Sequence, residues 1–157
     1  MITYKKGDLL ADEASALVNT VNMGGVMGKG IALSFKKEFP FNYRVYIDAC
    51  QGGLVNIGSM LCMDDNSLLY GEKLIINFPT KIRWWLPSEY HYIELGLTAL
   101  VECIAQHEIN SIAIPALGCG NGGLDWQMIK SMMEKHLSGL NITINIYEPL
   151  SLNHENY

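Results

Sequence analysis

Ala16-Leu-Val-Asn-Thr-Val-Asn-Met-Gly-Gly-Val-Met-Gly-Lys-Gly30 carries an apolar strand straight into a glycine-rich loop. The strand reading covers Ala16–Asn22, and a helix is predicted to begin near Lys29, because Ile31, Phe35 and Phe39 recur on one helical face. Strand, glycines and helix in that order are how α/β proteins aim backbone N–H groups and a helix N-terminus at a phosphate. Ser111-Ile-Ala-Ile-Pro-Ala-Leu-Gly-Cys-Gly-Asn-Gly-Gly123 repeats the arrangement. Two such loops in one short chain predict a ligand with two linked phosphates, held between them.

Outward from these loops, strands and helices alternate. Residues 2–5 read as an edge strand, Gly58–Met63 and Leu74–Phe78 as strands, the latter bounded by Pro79, and Asn141–Tyr147 as a closing strand. Pro40 ends the first helix and Phe41–Ala49 reads as a second, short one. Ser88–His107 is the longest helical pattern, and a last helix is predicted over Asp125–Leu137 with Trp126, Ile129, Met133 and Leu137 inward. This order predicts an α/β fold, a mixed sheet covered by helices on both faces, with ligands at the carboxyl ends of the strands. Residues 1–150 read as one domain and 151–157 as a frayed tail.

Composition narrows the function. With 49% apolar and 17% charged residues, the 157-residue chain has the makings of a real core and is not disordered. No apolar run approaches the roughly 20 residues that span a bilayer, and the N-terminus lacks a signal-peptide core. A cytoplasmic protein without membrane partners is expected. The net charge of −5 argues against gripping long nucleic acid, though not against a local basic pocket that reads one nucleotide. Cys50, Cys62, Cys103 and Cys119 are irregularly spaced and read as small buried groups in a reducing compartment. The four histidines are equally scattered, so no metal site is expected.

Gly28-Lys29 nearly completes a nucleoside-triphosphate loop, but Met23 occupies its upstream glycine position and Gly30 its Mg²⁺-binding hydroxyl position. NTP hydrolysis is therefore disfavoured. Gly118-Cys-Gly120-Asn-Gly-Gly123 satisfies the dinucleotide glycine pattern, yet too little chain follows it for that fold. The phosphate-facing candidates are Gly28, Lys29, Gly30 and Ile31 in the first loop, and Gly118, Cys119, Gly120, Asn121 and Gly122 in the second. Asn19 and Asn22, at the strand end, offer amide donors and acceptors to a ribose, or satisfy loop backbone. Asp8 reads equally as an acceptor for an adenine amine and as a cap. Lys81, with Arg83 as cationic neighbour and partial burial, is a candidate for a depressed pKa and hence for nucleophilic or acid–base chemistry; the alternative is a solvated surface lysine. Trp84 and Trp85 read as core, or as a stacking surface for a base beside Arg83. Asp125 reads as a helix cap, with a role in the chemistry as the alternative.

With these residues in place, the chain resembles the macrodomain family, α/β/α modules that bind ADP-ribose, over nearly all of residues 1–148. Gly7-Asp-Leu matches the early motif whose aspartate contacts adenine, bringing in Asp8 and Leu9. Asn19-Thr-Val-Asn22 matches the motif whose second asparagine faces the distal ribose. Gly25–Ala32, Asn77-Phe-Pro-Thr-Lys81 and Gly118–Trp126 resemble the DarG group, antitoxins that remove ADP-ribose from thymine in DNA, and its terminal ADP-ribose glycohydrolase relatives, which use a lysine at the position of Lys81. The resemblance implies Lys81 and Asn22 as catalytic residues, Thr80 among the ligand contacts, Arg83 and Trp84 as DNA contacts, and no metal or other cofactor. It implies ADP-ribose and ADP-ribosylated single-stranded DNA as partners. A DarT-type toxin is a further implied partner, touched through a C-terminal region for which this chain has no room. ADP-ribose esters on protein carboxylates, or a non-catalytic ADP-ribose reader, are the alternatives. One departure stands out: the human relative carries a catalytic aspartate two residues after its Gly-Cys-Gly, and here that position is Gly122.

Overall fold

The computed structural model describes residues 1–150; the expected tail, 151–157, lies outside the described residues. Six strands form one sheet: β1 (Ile2–Lys5), β2 (Ala16–Asn22), β3 (Leu61–Ser67), β4 (Gly71–Lys81), β5 (Ser111–Pro115) and β6 (Thr143–Tyr147), in the order β1-β6-β5-β2-β4-β3. All neighbours are parallel except β3, which pairs antiparallel with β4 at one edge. β1 forms the other edge.

Alternation along the inner strands sends side chains to two cores. Leu17, Ile75 and Ala113 pack with Phe35 of α1 (Gly30–Glu38) and with Phe39, its C-cap, and Val21 packs with Tyr46 and Ala49 of α2 (Pro40–Gln51). Ala16, Val18, Ile76, Phe78, Ile112 and Ile114 face the other way. They meet Ile93, Leu97 and Leu100 of α3 (Tyr90–Gln106) and Ile129, Met133 and Leu137 of α4 (Trp126–Leu137). The result is the expected three-layer α/β/α arrangement.

Two strands differ from expectation. The run at Gly58–Met63 pairs only from Leu61, and continues as a polar edge strand to Ser67. Its residues Asp64, Asp65 and Asn66 have little strand propensity, and cross-strand pairing with β4 overrides it. β4 does not stop at Pro79 but runs on to Lys81. Proline lacks a ladder donor, and the register with β2 slips there: Val21 faces Pro79, whereas Asn22 faces Lys81. That slip places Asn22 and Lys81 side by side at the strand ends.

The β2–β5 ladder joins only Ala16 with Ile112 and Leu17 with Ala113. Past that point the two strands part, and each ends in one of the glycine loops. β5 lies on the opposite side of β2 from β4, so the chain reverses direction across the sheet between β4 and β5. Ligands of α/β sheets bind where the order reverses in this way. Glu89 leads into α3, which returns over Phe78 so closely that a Cβ on Gly96 would lie 2.2 Å from the ring Cζ. Phe78 is fully buried and cannot retreat. Gly96→Ala is therefore expected to lower stability by about 1–3 kcal/mol, read as a fall in the denaturant midpoint at unchanged slope.

Candidate active site

Three loops meet at the carboxyl ends of β2, β4 and β5. The first, residues 23–29, is organised by Asn22. Its Oδ1 accepts hydrogen bonds from the backbone N–H of Gly24 (2.9 Å) and Val26 (3.3 Å) and from the Tyr46 hydroxyl (3.1 Å), while its Nδ2 donates to the Val26 carbonyl at 2.7 Å. Tyr46 also donates to the Asn22 carbonyl at 2.7 Å. The Asn22 amide is thus spent on fixing the loop, the alternative read from sequence. Asn19, expected at the ligand, is wholly buried beneath the loop and reaches no open surface. A polar amide flanked by strand neighbours needs buried partners, and its Nδ2 donates to Asn77 Oδ1 at 3.3 Å; Asn77 in turn exchanges hydrogen bonds with Asn42.

The loop delivers Gly28, Lys29 and Gly30 to the exposed N-terminus of α1. Lys29 occupies the cap position without a side-chain cap, and the first turn holds no acidic residue, so its N–H groups are open to an anion. Ile31 is half-buried against the α1 core. In the second loop, Gly118 has φ +74° and a Cβ there would lie 2.7 Å from Leu124 Cδ1, so any other residue would be strained there. Gly120 to Gly122 form one tight turn, and Gly122 lies under Ser88. Asn121 Nδ2 comes within 3.7 Å of where a Gly30 Cβ would stand. The two loops therefore face each other across the parted strands. Cys119 is half-buried between them; burial, aided by Asp125, pushes its thiol up to about 12 and keeps it protonated.

Asp8 and Leu9 divide differently from expectation. Asp8 is exposed, caps the short 3₁₀ turn Leu9–Ala11 by accepting from Leu10 N–H at 3.0 Å, and accepts from the Tyr70 hydroxyl at 3.2 Å. Leu9 buries its side chain with Phe35 and Phe39, because an apolar residue just inside a capped turn packs inward. Thr80 is likewise buried at the end of β4. Asp125 caps α4, accepting from Met128 N–H at 3.1 Å.

Lys81 stands at the mouth. Its Nζ donates to the Trp84 carbonyl at 3.2 Å, and its own carbonyl accepts from Met23 N–H at 3.2 Å, tying β4 to the first loop. Its pKa is lowered, first by desolvation and then by the positive charge of Lys29. The expected cationic neighbour, Arg83, is not among the causes; it donates to the Ile82 carbonyl at 3.1 Å. Lys29 lies 6.0 Å from the Trp84 ring centroid. Beside them opens a cavity of about 360 Å³ lined by Met23, Gly24, Val26, Cys50, Arg83, Trp84 and Trp85. Trp84 and Trp85 are 50% and 61% exposed and stand edge to face, so they are not core residues. Tyr46, Tyr70 and the Asn42–Asn77 pair were not read from sequence. An asparagine inside the apolar run Ile75-Ile-Asn-Phe was the one signal available for that pair.

Paired glycine loops across a parted parallel sheet, with a desolvated lysine at their rim, define an α/β/α module whose cleft turns backbone N–H groups and one amine toward the same opening. The chain belongs to the Macro domain family, whose profile matches residues 18–133. It is 48% identical over 95% of its length to the DNA ADP-ribosyl glycohydrolase of Mycobacterium tuberculosis, and spans 42% of that relative. The solved macrodomain of M. tuberculosis DarG superposes with a TM-score of 0.91 at 48% identity, covering 95% of this chain and 98% of that one. Thermosipho africanus DarTG in complex with ADP-ribose matches at a TM-score of 0.88 and 37% identity, covering 95% of this chain and 42% of that one. No helix among the described residues is long and apolar enough to cross a membrane.

Because Lys29 contributes to holding the Lys81 pKa down, Lys29→Met is expected to raise it. Titration of ¹³C-methylated lysines by NMR reads this directly: the Lys81 resonance should titrate at higher pH in the variant, and Arg83→Met should leave it in place.

Proposed function

We propose that this domain hydrolyses the N-glycosidic bond between the distal ribose of ADP-ribose and thymine in single-stranded DNA, as the de-modifying part of an antitoxin against a DarT-type DNA ADP-ribosyltransferase. The observation that carries the reading is Lys81: a desolvated amine beside Lys29, at the rim of two facing glycine loops. The high identity to a DNA ADP-ribosyl glycohydrolase supports the substrate class. A Thermosipho africanus relative, 38% identical over 95% of this chain, bears the name of a DNA ADP-ribosyl transferase–glycohydrolase fusion protein, which supports the toxin–antitoxin setting.

In this reading the diphosphate sits between the N-terminus of α1 and the turn at Gly120–Gly122, where backbone N–H groups meet its charge. That remote binding energy holds the anomeric carbon near Lys81. Glycoside hydrolysis passes through an oxocarbenium-like transition state that two carboxylates ordinarily manage. Here the neutral Lys81 amine attacks the anomeric carbon as the bond to thymine breaks, and water then releases ADP-ribose from the adduct. Alternatively, the Lys81 ammonium protonates the departing base. The lowered pKa makes the neutral amine more accessible near neutral pH, which favours the first route. The exposed tryptophans beside the 360 Å³ cavity offer a stacking surface for a flanking base, and Arg83 a contact for a phosphate.

Lys81→Ala is expected to slow release of ADP-ribose from an ADP-ribosylated thymidine oligonucleotide by at least about 10²-fold while ADP-ribose still binds. A time course against wild type, with calorimetry on ADP-ribose, checks both halves. An ADP-ribosylated protein run in parallel decides the substrate: turnover of the ester but not of the oligonucleotide would replace the DNA reading. Binding without product on either substrate would leave a reader.

A further inference from the structure

Cys62 and Cys103 are far apart in sequence, yet their Sγ atoms lie 3.0 Å apart. Cys62 sits on edge strand β3 opposite Ile76 of β4, and its side chain points to the α3 face, where it packs against the larger core. Cys103 is on α3, and His107, four residues on, follows that helix as its C-terminal cap. The i, i+4 spacing puts both on one side of the helix, toward β3. One ligand atom from each of the three residues falls within 4.8 Å of the others. The sequence expectation of no metal site rested on spacing along the chain; β3 and α3 bring together what spacing keeps apart.

We propose that Cys62, Cys103 and His107 form a binding site for a zinc-type divalent ion, separate from the cleft. Two thiolates and one imidazole are a donor set that selects Zn²⁺ over hard cations such as Mg²⁺. With Zn–S bonds of about 2.3 Å, tetrahedral ligation sets the two sulfurs roughly 3.8 Å apart. The observed separation is shorter than that and longer than the ~2.05 Å of a disulfide. Small rotations of the two side chains would open it to the metal distance. The imidazole favours metal over a simple disulfide, because oxidation of the pair would have no use for a third donor. Burial differs across the cluster: Cys103 is buried, Cys62 half-buried and His107 exposed, so the ion enters from the His107 side and keeps an outer position for water. Binding displaces the thiol protons into solvent and leaves two Zn–S bonds and one Zn–N bond, with no redox change.

The site lies away from the chemistry. Ile76, opposite Cys62, is five residues before Lys81, roughly 16 Å along the strand. α3 starts at Tyr90, just beyond the loop that follows Lys81, so its C-terminal end, with Cys103 and His107, is at the opposite side of the sheet. The ion would pin the polar edge strand β3 to the end of α3.

The test uses the full chain, reduced and stripped with a chelator, then titrated with Co²⁺ and back-titrated with Zn²⁺. The expected result is one equivalent of Co²⁺ giving a thiolate-to-metal charge-transfer band and the intense visible bands of tetrahedral cobalt, both erased by one equivalent of Zn²⁺. Cys62→Ser and Cys103→Ser should each lose the charge-transfer intensity. His107→Ala, at an exposed position that leaves the fold intact, should keep the band but weaken Zn²⁺ affinity by at least about tenfold. No charge-transfer band in the reduced wild type would overturn the proposal, as would unchanged Zn²⁺ affinity in His107→Ala. Intact mass showing a Cys62–Cys103 disulfide, in protein that binds no Zn²⁺ once reduced, would overturn it in favour of a redox pair.

Discussion

The Asn22 side chain is the interaction on which the site depends. It stands at the last pair of the β2–β4 ladder, and its amide takes over the work of backbone pairing for the loop that follows. Leaving either end of a buried amide unpaired costs roughly 1–3 kcal/mol, so the loop is held in one shape rather than several. Tyr46 adds a hydroxyl from α2 to the same oxygen, which couples the loop to the helix layer beneath it. Met23 N–H then reaches the carbonyl of Lys81. The loop that offers N–H groups to an anion and the strand that offers the amine are therefore one assembly, and neither moves without the other.

The slip between β2 and β4 explains why that assembly carries a lysine at the rim. In an uninterrupted ladder, Asn22 would face Thr80 and Lys81 would fall one position beyond the last pair. The interruption at Pro79 brings Lys81 opposite Asn22 instead. Thr80 is left buried, while Lys81 is left half-exposed, with its ammonium near Trp84 and Lys29. A proline that weakens the sheet by one hydrogen bond thus sets the position of the Lys81 side chain.

Periodicity made the layers legible. Four-residue spacing identified the inward faces of α1, α3 and α4, and the two strand–glycine–helix runs located both loops at the carboxyl ends of their strands. What remained hidden was set by tertiary pairing. The polar run Asp64-Asp65-Asn66 has no strand signature of its own, and only β4 beside it makes β3. Pro79 reads locally as a stop, although a strand edge tolerates it once the register slips. At the site, local reasoning could tell that Asn22 and Asp8 had two possible uses, but not which one the surroundings demanded. The cationic neighbour of Lys81 came from the first loop and not from the adjacent Arg83, because a strand end and a loop that meet in space need not be near in sequence.

The carboxylates near the cleft show why an amine carries the proposed chemistry. Asp8 is committed to the turn at Leu9–Ala11 and to Tyr70, and Asp125 to the first turn of α4. Freeing either carboxylate for chemistry would first cost its cap, worth about 1 kcal/mol. The position two residues past Gly-Cys-Gly is occupied by Gly122, whose carbonyl accepts from Ser88 N–H at 3.0 Å and whose Cα lies against the Ser88 side chain. A Cβ there would come within 2.5 Å of the Ser88 hydroxyl and 3.1 Å of the Ser88 Cβ, so an aspartate would crowd Ser88 and require it to shift. Among the described residues, Lys81 is the group at this rim whose proton affinity the fold has shifted toward neutrality while leaving its nitrogen beside the cleft.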